Sequence, residues 1–236
     1  LLIAVPHHAH YILSIIMLAE RLRHRRKTFL FYGNPETHPG NEVFDRLNGW
    51  FWNGENGVGF VHDTRKGLAT AIRELRAGAA VFIMPDVFKD ENSTFPIRFC
   101  KRSLSIMLGT AALSRRTDAL IVPMISTPTA SGFGFKSIFA PPCSEQPPEV
   151  HCQSERSLLA YDYRVMRRLF AFYEQHMQHQ LIYWQNVRQH IAQNGPHLDV
   201  PRSDVARVAG LLARDPDMLA PTAVVDLRRG EMVPPC

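Results

Sequence analysis

The 236 residues are 45% hydrophobic and 21% charged, an ordinary globular balance that allows one sizeable core. Lys and Arg number 27 against 22 Asp and Glu, giving a formal net charge of +5. That balance suits either an anionic partner or a mildly basic enzyme whose charges are simply solvated. Cys100, Cys143, Cys152 and Cys236 show no paired spacing, which argues against a disulfide framework and for reduced thiols. No apolar run is long enough to cross a bilayer uninterrupted; the best, Tyr11 to Ala19, spans about two to three helical turns.

In chain order, Leu1 to Val5 is a continuous apolar run of the kind expected in a strand covered on both faces. It begins without Met and already inside the strand, so a further segment is expected upstream. Tyr11, Ile12, Ile15, Ile16, Leu18, Ala19 and Leu22 then recur at helical spacing, and the basic run from Arg21 to Lys27 suits the helix C-terminus. Thr28 to Tyr32 reads as a second strand, and Gly33-Asn34-Pro35 opens a loop. The Gly- and Asn-rich stretch from Trp50 to Gly59 reads as irregular. Gly67 to Ala77 is an amphipathic helix closed by Gly78, with a strand from Ala79 to Met84 and a polar loop from Pro85 to Pro96. Ser103 to Arg116 reads as a helix, and Ala119 to Met124 and Gly134 to Ala140 as strands. A Pro-rich linker follows from Pro141 to Pro148.

From Leu159 through Tyr163, Met166, Phe170, Tyr173, Met177, Leu181, Trp184 and Val187 to Ile191, apolar residues step by three or four, predicting one long amphipathic helix. Beyond Asn194 the composition shifts, with one short helix expected from Ser203 to Ala213. The alternation of strands and helices predicts an α/β fold: a central, mostly parallel sheet flanked by helices. We assign residues 1–194 to that domain and 195–236 to a C-terminal extension.

The chemistry concentrates at Pro6-His7-His8-Ala9-His10-Tyr11, between the first strand and the first helix. In open α/β sheets the carboxyl edge of the strands is where ligands bind. A histidine there is a natural general base for an attacking hydroxyl or amine. The plain alternative is a set of partly exposed histidines at a helix start. A third reading is a metal-dependent hydrolase using His7, His8 and His10, since His8 and His10 have ligand-like spacing. Such a site normally adds a nearby Asp-His pair where Tyr11-Ile12 stand, and zinc needs three or four protein ligands.

A second block has an ordered set of features: Met84-Pro85-Asp86 after a strand, then Phe95-Pro96-Ile97-Arg98-Phe99, a helix containing Gly109, and Asp118-Ala119-Leu120-Ile121-Val122-Pro123. Together with the histidine turn upstream, this order resembles the lysophospholipid acyltransferase superfamily, closest to its lipid A (late acyl chain) branch. Met84-Pro85-Asp86 is similar to the Pro-Glu-Gly-Thr block of the glycerolipid branch, Val122-Pro123 to the fourth block, and Arg65 to the arginine of the second. The likeness runs on through Glu174 and Leu181 to Arg188, where the family closes with a Trp shortly before an Arg.

The departure lies in the first block, which in the family is His, four residues, then Asp or Glu. His7 aligns best, with Ala9 where Gly is usual, Tyr11 where an aromatic is usual and Ile12 at the carboxylate position. Starting from His8 or His10 puts Leu13 or Ile15 there, so no register restores the acid. In a Ser-His-Asp system, losing the acid's role costs about 10⁴ in rate.

The resemblance implies acyl transfer from a thioester, acyl-CoA or an acyl carrier protein, to a hydroxyl or amine on a lipid or specialised metabolite, with no bound metal or other cofactor. His7 is its base, with His8 the next candidate and His10, one turn on, a group to orient the base in place of the missing acid. Asp86 orients the acceptor or pairs with Arg65, and Arg65 binds a phosphate through its planar fork. Tyr11, Pro85 and Pro123 line the substrate site. The basic clusters Arg21 to Lys27, Lys101-Arg102 and Arg115-Arg116 suit an acidic carrier protein or an anionic membrane surface, which fits a cytoplasmic protein peripheral on the inner face of a membrane. Phe51, Trp52 and Phe60 are candidates for acyl-chain contact. A non-catalytic acyltransferase-like protein that binds acyl chains or a carrier protein is the competing reading. No nucleic-acid partner is expected, because no reading motif or aromatic ladder is present.

Overall fold

The computed structural model describes residues 1–44, 46, 58–87, 94–100, 102–129, 134–144, 155–187, 224–226 and 231–233. The chain divides into two units, the first made of Leu1–Met84 with Leu113–Glu145, the second of Pro85–Ala112 with Gln146–Cys236.

The first unit is built on a six-stranded sheet in the order β3-β2-β4-β1-β7-β8. Its strands are β1 (Leu2–Ala4), β2 (Thr28–Tyr32), β3 (Gly59–His62), β4 (Ala80–Ile83), β7 (Ile121–Pro128) and β8 (Phe135–Phe139). The first five are parallel, and β8 runs antiparallel to β7, so the sheet is mixed but mostly parallel, as the alternation of elements predicts. Central β1 pairs Leu2, Ile3 and Ala4 with Val81, Phe82 and Ile83 on one side and with Ile121, Val122 and Pro123 on the other. All three of its residues are buried, which is why the run carries no polar alternation. Pro123 is buried where β7 stops pairing with β1 and starts pairing with β8, a join at which a missing N–H is tolerated.

Helix α1 (Tyr11–Arg23) follows β1 and packs on β2 and β7; α2 (Arg65–Arg76) follows β3 and packs on β3 and β4. Right-handed crossovers taken in opposite directions along a sheet place their helices on opposite faces. Helix α2 starts two residues earlier than the spacing predicts, because Thr64 caps it: its Oγ1 accepts from the Gly67 N–H at 3.1 Å. A Cβ on Gly67 would run into the backbone carbonyl oxygen of His62. We therefore expect Gly67→Ala to cost about 1–3 kcal/mol, reversing the usual helix preference for Ala. Urea unfolding measures this, and a stability gain would show that the β3–α2 corner yields.

Strand β3 falls at the end of the stretch read as irregular. It forms because Gly59 to His62 pair in register with Phe29 to Tyr32, and Gly59 accommodates the Phe29 ring where a Cβ would collide with it. Phe60 lies in this strand, whereas Phe51 and Trp52 lie outside the described residues.

In the second unit, β5 (Thr94–Phe99) and β6 (Arg102–Met107) form an antiparallel hairpin turning at Cys100, whose φ is +50°. This corrects two expectations. The loop expected to reach Pro96 gives way to strand at Thr94, and the helix expected from Ser103 is a strand until Met107, with α3 (Gly109–Thr117) only then beginning. The apolar residues Leu104, Ile106 and Leu108 alternate by two and are all buried; pairing with β5 uses that period, and Gly109 follows it.

Helix α4 (Glu155–Met177) buries Tyr163, Met166, Phe170, Tyr173 and Met177, the stripe read from the sequence, and packs on β5. The Tyr163 hydroxyl donates to the Pro96 carbonyl at 2.8 Å. The helix is shorter than predicted: it ends at Met177, and Leu181–Tyr183 is a single 3₁₀ turn after Gln180 leaves helical geometry at φ −136°. The apolar phase continues to Trp184 because that side chain is buried on Phe99, with rings 5.3 Å apart. Two short strands, β9 (Val224–Asp226) and β10 (Glu231–Val233), pair antiparallel near the C-terminus. The predicted helix at Ser203 to Ala213, the stretch from Arg188 to Ile191, Lys101 and the second half of the Pro-rich linker, residues 145–148, lie outside the described residues.

Candidate functional site

The histidine turn sits at the carboxyl end of central β1. The chain leaves β1 toward β2 on one side, and β7 turns to β8 on the other, so the ends of β1 and β7 mark a point where the connections diverge. The turn is tight. The His8 N–H bonds to the Pro6 carbonyl at 2.7 Å, and Ala9 takes φ +50°, a region that costs an L-residue about 1–2 kcal/mol and that glycine adopts freely.

The three histidines separate. His8 is completely buried, and its Nδ1 lies 2.7 Å from the Ser126 carbonyl oxygen in β7. A carbonyl only accepts, so Nδ1 carries the proton and donates, which fixes both ring orientation and tautomer. His8 thereby pins the turn across the gap between β1 and β7. His7 is half-buried at the turn, with its ring edge-on to Tyr11 at 4.9 Å, the buried first residue of α1. His10 is exposed at the N-cap of α1, makes no side-chain capping bond, and stacks at 5.5 Å against Phe135 of β8. Beside His8's anchor, Ser126 Oγ and Thr127 Oγ1 are buried with no hydrogen-bond partner among the described residues.

Arg65 lies at the same sheet edge, exposed in the first turn of α2 beyond β3, three strand positions from β1. At about 4.8 Å per strand that is roughly 14 Å, so Arg65 and His7 would contact different parts of any one ligand.

Pro85 and Asp86 open the second unit. Asp86 is 2% exposed; its Oδ2 accepts from the Trp184 indole N–H at 2.8 Å and its backbone carbonyl from Asn186 at 3.0 Å. The observed work of this carboxylate is to hold the segment after α4.

Of the nucleophiles in the second unit, Cys100 is a poor one. Burial, with Glu174 adding a smaller repulsion, pushes its thiol up to about 12, and Glu174 also accepts from the Cys100 N–H at 2.7 Å. We expect Cys100 to be alkylated by iodoacetamide at pH 8 far more slowly than a peptide thiol, as peptide mapping would show. Rapid labelling would contradict the buried environment. The sign also follows: the folded state keeps the proton that the unfolded chain loses near pH 9, so this group lowers stability as pH rises from about 9 toward 12.

Among the described residues no three His, Cys, Asp or Glu side chains gather in a metal-binding arrangement, and no helix is long and apolar enough to cross a membrane. A groove of about 850 Å³ runs between α1 and β8. Neither the groove nor the Ser126 anchor follows from sequence spacing alone. The one available signal was that α1 carries apolar residues all round, with Leu13 and Met17 lying off the face that packs on the sheet. No protein-family model matches the chain, and no curated protein matches it significantly.

Proposed function

We propose that the chain is an acyltransferase that moves an acyl group from acyl-CoA or an acyl carrier protein to a hydroxyl or amine on a lipid or specialised metabolite, with His7 as general base. The observation that carries this reading is the turn itself: a half-exposed His7 at the carboxyl edge of the central parallel strand, in a loop anchored by the His8–Ser126 hydrogen bond. The positive φ at Ala9 supports the likeness to the lysophospholipid acyltransferases and their lipid A branch, since Ala9 stands where they carry Gly.

In this mechanism His7 takes the acceptor's proton as its oxygen or nitrogen attacks the thioester carbonyl. The tetrahedral oxyanion collapses with cleavage of the C–S bond, and the departing thiolate recovers the proton from His7. Ile12 leaves His7 without the family's carboxylate. The fixed turn and the Tyr11 ring beside His7 supply orientation instead, with His8 a positioning residue through Ser126. Arg65, about 14 Å along the sheet edge, suits a phosphate on a long donor. The same proposal places the protein at the cytoplasmic face of a membrane or against an acidic carrier, consistent with the exposed Arg25, Arg26 and Lys27 after α1.

The test is thiol release from a panel of acyl-CoA and acyl-carrier thioesters, with and without hydroxyl and amine acceptors, in wild type and His7→Ala. Acceptor-dependent release that disappears in the variant supports the transferase. Acyl or carrier binding without release from either protein would favour the binding-protein reading that Ile12 suggests.

A further inference from the structure

We propose that the groove between α1 and β8 binds the apolar tail of a single-chain anionic amphiphile, with the head held at Arg21. The stripe His10, Leu13, Met17, Arg21 repeats by three and four and so shares one face of α1, while Phe135 and Phe139 share one face of β8. These two faces line a concavity of about 850 Å³, within the range of pockets that take a small molecule. The Ser137 hydroxyl donates to Ser14 Oγ at 3.0 Å and fastens the two walls together. Leu13, Met17 and Phe139 are 47%, 53% and 47% exposed, an amount of apolar side chain that a partner in the groove would take out of water. From His10 to Arg21 the helix runs about 16 Å, long enough to lay a chain lengthwise.

Charge selects the occupant. Arg21 lines the groove, is exposed, and has no ion-pair partner among the described residues, whereas the adjacent carboxylate, Glu20, is held by Arg23 at 2.7 Å. Arg25, Arg26 and Lys27 follow, so one end of an apolar groove is cationic. That polarity matches one apolar tail and one carboxylate or phosphate head. A bilayer is engaged by protruding apolar groups, and this surface is concave. The inference uses only the walls of α1 and β8, so it stands or falls separately from the chemistry at His7.

Isothermal titration with dodecyl phosphate and with neutral dodecyl maltoside, both kept below their micelle concentrations, tests it. Wild type is expected to bind both, the phosphate more tightly. Leu13→Gln combined with Met17→Gln weakens both about tenfold or more, since two half-exposed apolar walls are lost. Arg21→Gln weakens dodecyl phosphate about three- to fivefold and leaves the maltoside unchanged, the scale of an exposed charge contact. Because the substituted side chains are exposed, the thermal midpoint should not move, and that is checked alongside. Equal affinities in all proteins would overturn the proposal. So would binding to phosphatidylglycerol vesicles with none to monomeric amphiphile, or a dimer in light scattering that the double variant dissociates, since β8 is an edge strand open to a second copy.

Discussion

His7→Ala is expected to lower acceptor-dependent thiol release by about 10²- to 10⁴-fold at a stability cost of about 1 kcal/mol, the ordinary scale of a point substitution. His8→Ala is expected to do the reverse first: it removes a fully buried ring and strands the Ser126 carbonyl, costing about 2–4 kcal/mol. The separation follows from where each ring lies. His7 is half-buried at the turn, whereas His8 is spent on a bond across the sheet. Thioester turnover and urea unfolding on the same preparations read the two effects. If His8→Phe, which keeps the bulk but not the hydrogen bond, folds stably yet loses turnover as fully as His7→Ala, then His8 acts in the chemistry and the assignment of His7 alone is wrong.

Trp184→Ala should destabilise the second unit by about 3–5 kcal/mol. Trp184 is 4% exposed, packs edge-on to Phe99 and donates to the 2%-exposed Asp86, so its removal opens a cavity and leaves a buried carboxylate short of a donor. Trp184→Phe keeps much of the ring and loses the N–H, and should cost about 1–3 kcal/mol. Asp86→Asn keeps an acceptor for the indole and should cost less than Asp86→Ala. Urea unfolding followed by circular dichroism would rank the four. Equal, small losses would show that Asp86 is not held by Trp184, and would return it to the substrate-orienting role that the resemblance implies.

These two sites mark how far the residues could be read in order. The histidine turn is legible as a candidate site because a strand-like run, a Pro and a helical stripe adjoin it within a few residues. Its division of labour is not, because the Ser126 carbonyl that claims His8 is 118 residues away. Asp86 was legible as a carboxylate after a strand, but its partner is 98 residues on. The helix expected from Ser103 failed for the same reason at shorter range. Leu104, Ile106 and Leu108 fit a strand once β5 is beside them, and nothing local forces that choice.

The α/β class, the central buried strand, the placement of α1 and α2 and the apolar face of α4 can be read along the chain, because periodicity and caps act within a few residues. Which histidine bonds to Ser126 and which lies half-buried at the turn, what the Asp86 carboxylate holds, where α4 stops, and that Leu13 and Met17 line a groove with β8 all emerge on folding. Those outcomes depend on strands and side chains that meet only after the chain has closed on itself, so no local spacing encodes them.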